Sequence, residues 1–124
     1  MIKAWSKVDI IDCLERLSPI PSSIQCLEPH PYVSLGAPYG EGTSPWFLRS
    51  GVINRLVYAN DYLCREDLNI TLGIFDALRP VSVQSFMVEY TIKEECKRRG
   101  IDRENNQNKS KVKKIIEEVE TYWA

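Results

Sequence analysis

GIFDALRPVSVQ, residues 73–84, is the stretch on which the fold and the function both turn. Residues 70–75 (ITLGIF) form a short apolar run with β-branched members, which predicts a buried strand. Asp76 ends that run, Arg79 follows three residues later, and Pro80 stands where a helix can open. A loop after a strand carries functional side chains on a rigid base. Arg79 offers several N–H donors in a planar fork, and Asp76 is near enough in sequence to orient it. On the residues alone two readings stand side by side: a structural ion pair at a turn, or a fork held ready for a ligand.

Working outward, the segment after Pro80 places Val83, Phe86 or Met87, and Tyr90 on one helical face, and Gly100 stops it after Arg99. Upstream, Val52, Leu56, Ala59 and Leu63 recur at helical spacing, so residues 50–65 read as an amphipathic helix with Ser50 as its cap, broken at residues 67–69. Downstream, residues 102–108 (DRENNQN) are a polar, mobile loop. A last helix over residues 110–123 lines up Val112, Ile115, Ile116, Val119 and Trp123. Trp123 lies near the end of that stripe, where a large aromatic needs a surface, either on this domain or on a partner.

Residues 1–45 differ in character, with six of the seven prolines and several glycines; they read as an irregular arm with one short strand at residues 8–13 (VDIIDC). The expected fold class is α+β: about three helices packed on a small, incomplete antiparallel sheet, with a proline-rich N-terminal arm (1–45) and a helix–strand–helix–helix body (46–124).

Bulk composition excludes several classes. The chain has 124 residues, 44% hydrophobic, and a formal net charge of −1, which gives no reason to expect a nucleic acid or an anionic membrane as partner. It holds no apolar run long enough to span a bilayer, and its start lacks a secretory pattern, so a cytoplasmic location is expected. The basic run over residues 93–114 is interleaved with Glu94, Glu95, Asp102 and Glu104 and reads as a solvated face. Cys13, Cys26, Cys64 and Cys96 stand apart, forming no metal-ligand pair, and read as reduced thiols acting as small hydrophobes. The single histidine, His30, reads as a surface or turn residue. With so few soft ligands no metal site is expected in this chain.

The stretch around Arg79 resembles the Asp–(Gly/Ala)–Tyr–Arg–Pro motif of the D-alanyl-D-alanine dipeptidases, the zinc metallopeptidase family that includes the vancomycin-resistance enzymes. The likeness extends, in order, through PHPYVSLGAPYGEG (29–42), PWFLRSGVINRL (45–56), FDALRPVSVQSFMVEYT (75–91) and YWA (122–124). It implies the N-terminal portion of a single dipeptidase domain, ending just before the family's metal-binding stretch. It further implies that Arg79 stabilises the tetrahedral intermediate, that Asp76 holds the arginine or lines the substrate pocket, and that Tyr32 lies near substrate. The substrate implied is the D-Ala-D-Ala dipeptide of cell-wall metabolism, and the cofactor of the complete enzyme is zinc. Two features depart from the pattern. Leu78 replaces the motif's usual tyrosine, and the Ser-x-His-x-x-Gly-x-Ala-x-Asp and Glu-x-x-His stretches that supply zinc ligands and general base do not occur.

The resemblance therefore points to part of a zinc dipeptidase, inactive alone, whose missing ligands come from a C-terminal half. The alternative is a non-catalytic module that binds a small carboxylate or a peptide end at Arg79 and Asp76.

Overall fold

A computed structural model describes residues 7–66 and 70–123. The elements run β1 (Leu17–Pro19), β2 (Gln25–Cys26), α1 (Pro31–Ser34), β3 (Phe47–Arg49), α2 (Ser50–Arg65), β4 (Gly73–Ile74), α3 (Val81–Arg98), a 3-10 turn (Asn106–Asn108) and α4 (Lys109–Tyr122). The class is α+β as expected. Its strands form two pairs: β1 with β3, antiparallel, with Leu17 opposite Arg49, and β2 with β4, parallel, with Gln25 opposite Gly73. The chain divides into two compact units, one built from the residues up to Cys26 and Trp46–Ile74, the other from Leu27–Pro45 and the residues from Phe75 on.

In the first unit, residues 8–13 are not a strand, and Ile10 and Ile11 are 94% and 90% exposed. Strand pairing needs a partner for its backbone groups, and β3 takes Leu17–Pro19 instead. Leu14, at φ 57°, separates the two segments. Helix α2 has the bounds expected, but Ser50 is its first residue rather than its cap; Arg49 holds the cap position with no side-chain bond. The N–H of Gly51, in the first turn, instead donates to a Glu15 carboxylate oxygen (2.6 Å), placing a negative charge at the positive end of the helix. Asn60, the buried residue of α2, accepts the Leu72 N–H (2.9 Å), so a polar contact anchors this helix. The break read at residues 67–69 lies outside the described residues.

The second unit holds both clusters of buried apolar side chains, while Ile24 is buried in the first. Val83 and Met87 of α3 join Tyr32 and Tyr39 in one cluster; Ile92 and Cys96 of α3 join Ile115 and Val119 of α4 in another. Val83, Ile115 and Cys96 are the largest fully buried side chains. Trp123 packs against both clusters, which answers the question of what covers it. Gly100 ends α3 at φ +64°, a conformation that costs an L side chain energy and suits glycine. The loop read as mobile contains a 3-10 turn capped by Asn105. Of the four cysteines, Cys96 is buried and Cys26 half-buried, whereas Cys13 and Cys64 are exposed and do not act as core hydrophobes.

Candidate functional site around Arg79

The approach to Arg79 departs from the expected buried strand. Strand β4 is only two residues long, and Ile70 and Phe75 are 53% and 56% exposed. Arg79 thus sits on a loop, not at a strand end, and Pro80 is the N-cap of α3 rather than its first residue. The loop is fixed by hydrogen bonds. The Leu78 N–H donates to the Pro45 carbonyl at 2.9 Å, and Asp76 and the arginine make further anchors. Leu78 thus takes part through its backbone, which a tyrosine would share.

Arg79 is held on three sides. Its Nε donates to Asp76 Oδ2 at 3.0 Å, one Nη2 hydrogen goes to the same oxygen at 2.5 Å, and the other to the Tyr32 hydroxyl at 3.0 Å. Nη1 donates to Gln84 Oε1 at 2.9 Å. The guanidinium also lies over two rings, 4.9 Å from the Tyr32 centroid and 5.6 Å from that of Trp123. Burial by itself would lower the guanidinium pKa, but the hydrogen bond and charge of Asp76 outweigh it and raise the value above its ordinary range. A guanidinium has five N–H groups; with four committed, one Nη1 hydrogen has no partner among the described residues. The Arg79 side chain is 32% exposed.

The sequence-predicted residues Arg79, Asp76 and Tyr32 are therefore brought together. His30 is a correction: it is buried, 5% exposed, not a surface residue. It is the N-cap of α1. Pro31 occupies the first turn, and His30 Nδ1 accepts the N–H groups of Tyr32 (3.2 Å) and Val33 (3.4 Å). Its Nε2 lies 3.2 Å from Asp76 Oδ1. Gln84 was also missed. It accepts from Arg79 and donates to the backbone carbonyl of Trp123, tying α4 to the site. The signals were present: a histidine directly before a proline-started turn, and a polar residue in the first turn of a helix five positions after the arginine.

Tyr39 completes the surroundings. Its ring meets that of His30 edge-on, with centroids 5.5 Å apart, and its buried hydroxyl has no hydrogen-bond partner among the described residues. Burial first, and then the nearby Asp76 charge, pushes its pKa up to about 12, against a smaller opposing effect of Arg79.

A catalytic zinc requires about three protein ligands. Among the described residues no group of three His, Cys, Asp or Glu side chains could hold a metal ion. Both nitrogens of His30 are already engaged. These described residues do not fit such a metal. No helix among the described residues is long and apolar enough to cross a membrane.

Neither a protein-family model nor a solved structure matches the chain. A curated protein from Synechocystis sp. named D-alanyl-D-alanine dipeptidase is 37% identical over 124 residues, which is 99% of this chain and 49% of that protein. The chain thus spans about half the length of the curated relative it matches. Over that half, it is a homologue of a D-alanyl-D-alanine dipeptidase.

Proposed function

We propose that this chain is the N-terminal portion of a D-alanyl-D-alanine dipeptidase and supplies the cation that meets the negative charge developing on the scissile carbonyl oxygen. The observation that carries this is the state of Arg79: four N–H groups are fixed by Asp76, Tyr32 and Gln84, and one has no partner among the described residues, on a partly exposed side chain. A donor already in place costs no reorganisation when charge appears, which is how an oxyanion is stabilised. Asp76 has both carboxylate oxygens occupied within the protein, so its role is to hold the arginine. Tyr32 accepts one arginine hydrogen and keeps its own hydroxyl hydrogen for a neighbour or the substrate. The zinc of such an enzyme, its ligands and its general base would come from residues outside this chain. The free dipeptide is the substrate, and the setting is the cytoplasm.

The test is steady-state hydrolysis of D-Ala-D-Ala by this chain joined to, or mixed with, a polypeptide corresponding to the other half of the relative. Arg79→Ala is expected to lower kcat by about a hundred- to a thousandfold with a much smaller change in KM. Arg79→Lys should recover little, because an ammonium cannot keep the bonds to Asp76, Tyr32 and Gln84 while projecting a further donor. A near wild-type rate for Arg79→Ala would reduce the residue to a structural ion-pair partner. Tight binding of a small carboxylate by the isolated chain, with no hydrolysis on reconstitution, would instead identify a binding module.

A further inference from the structure

We infer that His30, locked as its Nε2–H tautomer, is a positioning residue for Arg79, acting through Asp76. This deepens the reading of Arg79 as the substrate-facing cation and rests on it. Nδ1 of His30 faces two backbone N–H donors, those of Tyr32 and Val33. A nitrogen that accepts from two N–H groups carries no hydrogen of its own, so the ring proton resides on Nε2. Nε2–H then donates to Asp76 Oδ1 at 3.2 Å. The ring cannot turn to exchange its two nitrogens. Its side chain is 3% exposed, and the rings of Tyr32 and Tyr39 stand edge-on to it, with centroids 5.4 and 5.5 Å away.

The effect is on the geometry of the carboxylate. With Oδ1 taken by His30, Asp76 presents only Oδ2 to the guanidinium, and both Nε and Nη2 of Arg79 converge on that one oxygen. Were Oδ1 free, the carboxylate could swing to face the fork with both oxygens, and the guanidinium would turn with it. The histidine therefore sets the direction in which the spare Nη1 hydrogen projects. Its two nitrogens have separable duties: Nδ1 caps α1, while Nε2 fixes Asp76. Among the described residues, the charged and titratable groups facing His30 and Asp76 include Arg79, Tyr32 and Tyr39.

Because the chain has one histidine, its imidazole gives a single pair of nitrogen signals, readable without assignment. In the purified chain at neutral pH, long-range 1H–15N spectra are expected to show the Nε2–H tautomer. An Nδ1–H tautomer or an imidazolium would overturn the inference. Two variants then separate the duties. His30→Asn keeps a side chain suited to capping α1 but cannot reach Asp76. The Arg79 Nε–H signal, assigned by its absence in Arg79→Lys, should shift and exchange with solvent about fivefold faster, while the amides of Tyr32 and Val33 stay protected. His30→Gln carries a donor near the position of Nε2 and should restore the slow exchange. An unchanged Arg79 signal in His30→Asn, or no recovery in His30→Gln, would overturn the positioning role. If the Asn variant loses the α1 amides, the wild-type tautomer and the Gln variant decide. None of these measurements uses hydrolysis, so their failure leaves the role of Arg79 standing, and failure of the Arg79→Ala kinetics leaves the tautomer standing.

Discussion

Tyr39 shows at the residue scale what an apolar setting does to a polar group beside the Arg79 cluster. Its hydroxyl is buried without a hydrogen-bond partner among the described residues, and its pKa is pushed up to about 12. A phenol whose folded pKa exceeds its unfolded value, about 10, favours the folded state while it is neutral. That contribution is fully present below pH 10 and is lost as pH rises through 12. Stability should therefore fall between pH 10 and 12 by up to about 1.4 kcal/mol per pH unit from this group alone. Tyr39→Phe should flatten that fall and leave stability at pH 7 equal or higher, since it removes a buried hydroxyl with no partner among the described residues. Thermal unfolding of both proteins across this range measures the difference; identical alkaline profiles would show that Tyr39 ionises as freely as in the unfolded chain. Leu78 marks a different limit at the same scale. It contributes a backbone N–H to Pro45, so Leu78→Tyr should preserve the loop and leave activity of the reconstituted enzyme equal or better.

At the scale of elements, the helix ends are where sequence and structure meet most closely. Helices α2, α3 and α4 fall within a residue or so of their expected bounds, because apolar spacing, Pro80 and Gly100 are local signals that tertiary contacts did not override. The strands were not legible in the same way. Residues 8–13 have the composition of a strand, yet pairing is decided by Phe47–Arg49, some thirty residues away, which selects Leu17–Pro19. The cap of α2 was misread for a similar reason, since the carboxylate that serves it belongs to Glu15, distant in sequence. Glu15→Ala should speed amide exchange at Gly51 and destabilise its unit by about 0.5–1 kcal/mol. A Gly51 amide that exchanges no faster would mean that water caps the helix equally well. Gly100→Ala should lower stability by about 1–2 kcal/mol, because alanine pays the left-handed penalty that glycine escapes. Urea unfolding measures this, and a loss near zero would show that α3 ends without that conformation.

At the scale of the molecule, the Arg79 site is assembled from far-separated pieces: His30 and Tyr32 from α1, Asp76 and Arg79 from the loop before α3, Gln84 from α3, and Trp123 at the end of α4. The arginine and its aspartate were legible in one short motif. The histidine's place before Pro31 marked its cap, but its burial and its contact with Asp76 were not legible, because both come from long-range packing. The molecule holds Arg79 beside Asp76 and Tyr32 but, among the described residues, no group able to hold a metal. The purified chain is accordingly expected to show no D-Ala-D-Ala hydrolysis and no stoichiometric zinc. Elemental analysis with a coupled alanine assay checks both, and about one tightly held zinc per chain with turnover would refute the division of labour proposed above.

Trp123 lies over the Arg79 guanidinium, receives Gln84 at its backbone carbonyl and packs against both apolar clusters. Translation delivers a polypeptide from its amino end, so His30, Asp76 and Arg79 all leave the ribosome well before this tryptophan does. A nascent chain long enough to hold the whole arginine motif still lacks one wall of its setting. The site closes only when the last turn of α4 emerges, and until then the guanidinium is bound by its aspartate but open to water on the side that the indole will cover.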